Sequence, residues 1–142
     1  MSRLKVLVVD DEPSLLKMLQ AMFETVGYDV LLASDGETAV RRVAEDKPDV
    51  VLLDVMIPVL DGWGVLDLVG RMPKRPKVIC FTAKASQRDR IKGWQLGADE
   101  YMTKPFDVDR LLGLMAEVVE RTSEEQVERR RQALEELGAE TS

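Results

Sequence analysis

The sequence predicts an α/β fold: a (βα)5 alternation building a doubly wound, five-stranded parallel sheet, followed by a C-terminal helical extension. Three observations lead there. Short apolar runs alternate five times with amphipathic stretches, the connections are short, and the first, third and fourth runs are nearly unbroken Val, Leu and Ile. Runs of that kind suit parallel strands covered on both faces, joined by right-handed crossovers. The size agrees, because 142 residues, 45% hydrophobic and 32% charged, can bury one core and lack the polarity of a disordered chain.

The first strand is read over Leu4 to Val9. In the helix after it, Leu15, Leu16, Leu19, Met22, Phe23 and Val26 recur at spacings of three and four, and Gly27 is the stop. Tyr28 to Ala33 is the second strand. Asp35-Gly36 opens the second helix, with Ala39, Val40, Val43 and Ala44 on one face and Pro48 ending it. Val50 to Leu53 is the third strand, with a helix from about Gly62 to Met72 after it. Val78 to Phe81 is the fourth strand, and its helix runs from Gln87 to Leu96 ahead of Gly97. The fifth run, Glu100 to Thr103, is the weakest. The helix from Asp107 to Arg121 carries Val108, Leu111, Leu112, Met115 and Val119 as its buried stripe.

Residues 122–142 differ in character. Thr122-Ser123-Glu124-Glu125-Gln126 holds overlapping capping-box signals, so a further helix starts there. Glu125 and Arg129, and Arg131 and Glu135, are opposite charges one turn apart. The apolar stripe of Val127, Ala133, Leu134 and Leu137 is thin, which favours a solvated helical tail over a partner-binding helix.

Composition excludes whole classes of chemistry. The chain has no histidine, which removes imidazole bases, Ser-His triads and His-ligated metals. Its single cysteine, Cys80, lies in an apolar run and reads as a buried small hydrophobe. Any metal is therefore expected to be a hard cation on oxygen ligands, with Mg2+ the natural choice. The formal net charge of −6 disfavours direct nucleic-acid binding. No apolar run is long enough for a membrane helix and no signal-peptide pattern opens the chain, so a cytoplasmic location is expected.

The polar residues then fall into a pattern. Asp10 and Asp11 end the first strand, Asp54 the third and Thr82 the fourth, and Lys104 follows the fifth. All these strand ends share the carboxyl edge of a parallel sheet, where ligands bind at the switch between winding directions. Three carboxylates in one crevice need a cation to offset them. With Mg2+ and Lys104 present, an incoming phosphoryl group meets positive charge, and in-line transfer to a carboxylate oxygen becomes feasible. Thr82 can donate to one phosphoryl oxygen and Lys104 can pair with another. Each residue alone has a plainer structural reading, Asp10 and Asp11 as helix caps before Pro13, Asp54 as a turn residue, Thr82 as a cap and Lys104 as a surface charge. Their joint order and placement point to chemistry.

Four segments carry a family resemblance: Val-Leu-Val-Val-Asp-Asp-Glu-Pro from Val6, Leu-Leu-Asp-Val-Met-Ile-Pro-Val-Leu-Asp-Gly from Leu52, Thr82-Ala83, and Gly-Ala-Asp-Glu-Tyr-Met-Thr-Lys-Pro-Phe from Gly97. The sequence resembles the receiver domain of two-component response regulators, the CheY-like family, over about residues 3–121. The resemblance implies the flavodoxin-like strand order 2-1-3-4-5, with residues 1–121 as the receiver domain and 122–142 as a charged helical extension or linker. It implies Asp54 as phosphoacceptor, taking its phosphoryl group from a phosphohistidine on a sensor histidine kinase or phosphotransfer protein. It further implies Mg2+ on Asp11, Asp54 and the Met56 carbonyl, with Asp10 acting through water and Lys104 contacting the phosphoryl group. Lys104-Pro105 is expected as a cis peptide. Thr82 and Tyr101 form the expected switch, Thr82 moving toward the phosphoryl group and the Tyr101 ring turning inward. The readout is then the face of the fourth helix, fifth strand and fifth helix, where a downstream protein docks. The chain would be a signalling switch that catalyses only its own phosphorylation and dephosphorylation.

Some positions depart from the pattern. Arg110 and Leu114 stand where dimerising relatives carry a Glu and an Arg, and Leu114 lies off the expected stripe, on the output face. Met56 and Lys84 are expected to tune the lifetime of the acyl phosphate, Lys84 by reaching toward it. Trp63 is expected to pack near the site. A flavodoxin would need a Ser/Thr-rich phosphate loop where Asp10-Asp11-Glu12 stands, and a P-loop enzyme would need a Gly-rich Lys-Ser/Thr motif. A phosphorylation-independent receiver-like interaction module would lack some of the five site residues. For output, two readings stay open: stand-alone signalling by protein docking, or the N-terminal receiver fragment of a longer regulator whose effector domain is absent, since 21 residues after the fifth helix hold none.

Overall fold

In the computed structural model, residues 3–84 and 86–139 are described. Five parallel strands, β1 (Lys5–Val9), β2 (Asp29–Ala33), β3 (Val50–Leu53), β4 (Lys77–Thr82) and β5 (Glu100–Thr103), form one sheet in the order β2-β1-β3-β4-β5. Helices α1 (Pro13–Thr25), α2 (Gly36–Asp46), α3 (Gly62–Gly70), α4 (Gln87–Leu96), α5 (Val108–Glu120) and α6 (Ser123–Glu136) complete the chain. This is the doubly wound order expected. The reversal falls between β1 and β3, so the loops leaving those two strands diverge and open a crevice at the carboxyl edge.

Strand alternation divides the core. Val6 and Val8 pack with Leu16, Leu19 and Phe23 of α1 and with Leu111, Met115 and Val118 of α5. Leu7 and Val9 point the other way, toward Ala39 and Val43 of α2, Val65, Leu66 and Val69 of α3, and Trp94 of α4. The central strands are buried on both sides, which is why their sequences show no polar alternation. Pro at the first position of α1, and side-chain caps from Asp35, Asp61, Ser86, Asp107 and Thr122, begin the helices.

The differences from the expected stripes have local causes. Val118, not Val119, is the buried valine at the end of α5, and Val108 in its first turn is 41% exposed. Two adjacent valines sit about 100° apart on a helix, so periodicity alone does not choose between them. Val26 lies beyond α1 and is exposed, as is Ala44 on α2. α3 stops at Gly70, short of Met72. Leu114 is half-buried against the α1/α5 side of the core.

The largest difference is α6. Its start at Thr122 carries the expected capping box with Glu125, but one face of the helix is packed while the rest stays in solvent. It lies against α4, burying Ala133 and Gln126 and resting Leu134 and Leu137 on the core. Arg129 reaches Glu100 of β5 at 2.9 Å, in place of the neighbouring Glu125, whose carboxylate accepts from the Thr122 N–H. Arg131 pairs with Glu135 at 2.6 Å, as the spacing suggests.

Two glycines bracket the fold's tolerance. A Cβ on Gly36 would sit 1.8 Å from the Leu60 carbonyl oxygen, because the loop after β3 crosses over the start of α2. A Cβ on Gly113, in α5, would meet nothing within 4 Å. Urea denaturation is expected to find Gly36→Ala destabilised by about 1–3 kcal/mol and Gly113→Ala stabilised by about 0.5–1 kcal/mol.

Candidate functional site

Backbone hydrogen bonds carry the sheet one residue beyond its strands. The Asp10 N–H donates to the Ala33 carbonyl, the Asp54 N–H to Val9 and the Lys104 N–H to Thr82, at 2.9–3.1 Å. With Val9 registered against Leu53 and Thr82 against Thr103, the side chains of Asp10, Asp54 and Lys104 are carried to one rim. There the carboxylate oxygens of Asp10, Asp11 and Asp54 come within 4.8 Å of one another.

The Lys104 ammonium spans two of them. Nζ donates to Asp10 Oδ2 at 2.6 Å and to Asp54 Oδ2 at 2.8 Å, and lies 4.6 Å from the centre of the Phe81 ring. The other oxygen of each carboxylate accepts a backbone N–H two residues on, Glu12 for Asp10 and Met56 for Asp54, both at 2.9 Å. Each aspartate thus closes a local turn that aims it inward. Asp10 and Asp54 are buried, whereas Asp11 stands in solvent at the mouth.

Burial pushes the Asp10 carboxyl above its usual range, against the pull of Lys104 and the Glu12 N–H. Burial alone would lower the Lys104 ammonium, but its hydrogen bonds to Asp10 and Asp54 and their charge outweigh it and hold the group above its ordinary value. The crevice therefore contains more negative charge than one ammonium offsets. Its donors are all oxygens, and one carboxylate is open to water, a set that suits a hard divalent cation retaining part of its hydration shell. Cys80 is fully buried under the sheet edge, with its thiol pushed up to about 12 by desolvation, and contributes no nucleophile.

Thr82 is fully buried at the end of β4, and its Oγ accepts the Lys84 N–H at 3.3 Å. The Lys84 carbonyl in turn accepts the Tyr101 hydroxyl at 2.6 Å. Lys84 is tied into the site through its backbone. The Tyr101 ring lies inward, against Gly93 of α4, where a Cβ would come within 2.8 Å of two ring carbons. Met56 is 52% exposed, and Trp63 is half-buried beneath the Lys92 ammonium at 4.8 Å. The Lys104–Pro105 peptide is cis.

Sequence reasoning missed Phe81 and Gly93. Phe81 read only as strand core, yet its ring lies beneath the ammonium. Gly93 carried a signal in retrospect, a glycine inside a helix that needs a packing reason.

Known proteins match this chain along most of its length. The family model described as "Response regulator receiver domain" matches residues 6–116. The alkaline phosphatase synthesis transcriptional regulatory protein PhoP of Bacillus subtilis is 47% identical over 102 residues, which are 72% of this chain and 42% of that protein. The chain thus spans under half the length of this curated relative. Among solved structures, the receiver domain of the Francisella response regulator 1452 superposes with a TM-score of 0.80 at 33% identity, covering 85% of this chain and 100% of that one. The receiver domain of the sensor histidine kinase PA1611 of Pseudomonas aeruginosa, which holds a magnesium ion in its active-site cleft, superposes at 0.77 with 31% identity, covering 84% of this chain and 100% of that one. With its strand order, its acidic crevice and this match, the chain belongs to the response regulator receiver domain family.

Proposed function

We propose that this chain accepts a phosphoryl group on Asp54 from a phosphohistidine of a sensor kinase or phosphotransfer protein, using Mg2+, and so switches a two-component signal. The observation that carries the reading is the convergence of three carboxylates on one crevice with Lys104 bonded to two of them. Asp11, Asp54 and the Met56 carbonyl would hold the metal, with Asp10 acting through water. Bound there, Mg2+ supplies positive charge that lets a phosphoryl group approach the carboxylates and steadies it in transfer.

The chain's own residues do the rest. The Met56 N–H holds Asp54 Oδ1, which leaves the opposite oxygen, now shared with Lys104, as the nucleophile. Attack forms the carboxylate O–P bond and breaks the donor's N–P bond, and the imidazole leaves with its electron pair and takes up a proton. Lys104 then exchanges its bond to Asp54 for one to a phosphoryl oxygen, and the Thr82 hydroxyl donates to another. Drawing Thr82 forward favours the inward Tyr101, whose hydroxyl is anchored on Lys84. In energetic terms, phosphorylation biases two arrangements of α4 and β5 and acts only through their difference in affinity for the phosphoryl group.

Residues 1–121 act as the switch, and a downstream protein reads the α4–β5–α5 face. One reading of the output is stand-alone docking. A second reading, the N-terminal receiver part of a longer regulator, is favoured by the coverage of only 42% of PhoP. The net charge of −6 argues against nucleic-acid contact by these residues in either case. Among the described residues no helix is long and apolar enough to cross a membrane.

Intact-mass measurement after incubation with acetyl phosphate and Mg2+ is expected to show one added phosphoryl group. Asp54→Asn, or chelation of the metal, is expected to abolish it, and phosphorylation surviving either would contradict the reading. A second expectation concerns charge. Because burial raises the Asp10 pKa, its ionised form costs folding free energy at neutral pH, and that cost disappears as pH falls below both its folded and unfolded pKa. Asp10→Asn is therefore expected to raise the thermal midpoint of the metal-free protein at pH 7. The advantage should shrink toward pH 3, and the thermal stabilisation by added Mg2+ should be smaller than in the wild type.

A further inference from the structure

We propose that α6 is a reversible latch that clamps α4 and thereby holds Tyr101 inward, so that docking of α6 and phosphorylation of Asp54 favour each other. The proposal rests on Asp54 being the phosphoacceptor, and adds a regulatory element outside the crevice.

Two adjacent acids at the start of β5 each receive two arginines, one from the receiver body and one from α6. Asp99 takes Arg75 at 2.7 Å and Arg130 at 3.2 Å. Glu100 takes Arg121 and Arg129, both at 2.9 Å. Both acids are almost fully buried, so each α6 arginine neutralises charge that water does not reach. The neighbouring Gln126 side chain donates to the Asp99 carbonyl at 2.9 Å.

The same helix grips both ends of α4. At the carboxyl end, Arg130 donates to the carbonyls of Gly97 and Ala98 at 3.3 and 3.2 Å, where the helix dipole favours a cation. At the amino end, the Gln87 side chain donates to the Leu137 carbonyl. Between these points the Arg129 guanidinium covers the Trp94 indole at 5.0 Å. Trp94 is next to Gly93, the residue that cradles the Tyr101 ring, and Glu100 is next to Tyr101 itself. Helix α4 is therefore held between the switch tyrosine and α6, and its position is common to both.

The contact has the character of a latch. Its apolar part is small, with only Ala133 fully buried and Leu134 and Leu137 half-buried. Arg130 Nε is buried without a hydrogen-bond partner, so the polar network is incompletely satisfied when docked. Arg129 and Arg130 remain 31% and 25% exposed, within reach of salt. Energetic coupling between two sites is reciprocal, so whatever phosphorylation does to α6 docking, docking does to phosphorylation.

The test runs in both directions on the full chain. With acetyl phosphate and Mg2+, amide hydrogen exchange in α6 and α4 is expected to slow about fivefold, the lower end of ordinary allosteric coupling, and not to change in Asp54→Asn. The Arg129→Glu, Arg130→Glu double variant is expected to lower steady-state phosphorylation by about the same factor, with Val127→Asp on the exposed side of α6 as a neutral control. If the double variant does not fold, Ala133→Asp undocks the helix without reversing charge beside Asp99 and Glu100. A phosphorylated wild type with unaltered α6 exchange, or an undocked variant phosphorylated as fully as wild type, overturns the latch and leaves the phosphoacceptor reading intact. Absence of any phosphorylation in the wild type removes that reading, and the latch with it.

Discussion

The ammonium of Lys104, bonded at once to Asp10 and Asp54, is the contact on which the crevice depends. Two buried carboxylates side by side repel each other, and the Lys104 ammonium offsets that repulsion. Lys104 comes from the far side of β4, along the backbone bond from its N–H to the Thr82 carbonyl, and so ties β5 to β1 and β3 across the rim. Desolvation opposes that charge and the two carboxylates sustain it, so the arrangement sets opposing effects against each other. A balance of that kind responds to added charge. On the proposed function, a divalent cation or a phosphoryl group arriving at Asp54 would change what Lys104 is bonded to.

From that rim the structure leads outward through one short path. Thr82 is linked to the Lys84 N–H, and the Lys84 carbonyl to the Tyr101 hydroxyl. The Tyr101 ring rests on Gly93, and beyond that helix lie the arginines of α6. The links are backbone groups and packed rings. That is the kind of element through which a charge change at one place becomes a change of surface at another.

Much of this was legible in the sequence because it depends on strand ends. Asp10, Asp54 and Thr82 each close an apolar run, and a parallel sheet brings such ends together whatever the details of packing. Caps were equally local: Asp35, Asp107 and Thr122 each act on a backbone N–H three residues ahead. What could not be read was pairing at long range. Arg129 and Arg130 looked like part of a solvated face, since their partners Glu100 and Asp99 lie about thirty positions earlier and no periodicity connects them. The choice of Val118 over Val119 depends likewise on where a neighbouring element comes to rest.

The central claim is that Asp54, and no other carboxylate of the crevice, carries the phosphoryl group. Borohydride reduction of the phosphorylated wild-type protein, followed by peptide mapping, tests it most directly, because hydride converts an aspartyl phosphate to homoserine at the modified position. Homoserine at position 54 alone is the predicted result. Homoserine at position 10 or 11, or a phosphorylated protein that yields none, would contradict it.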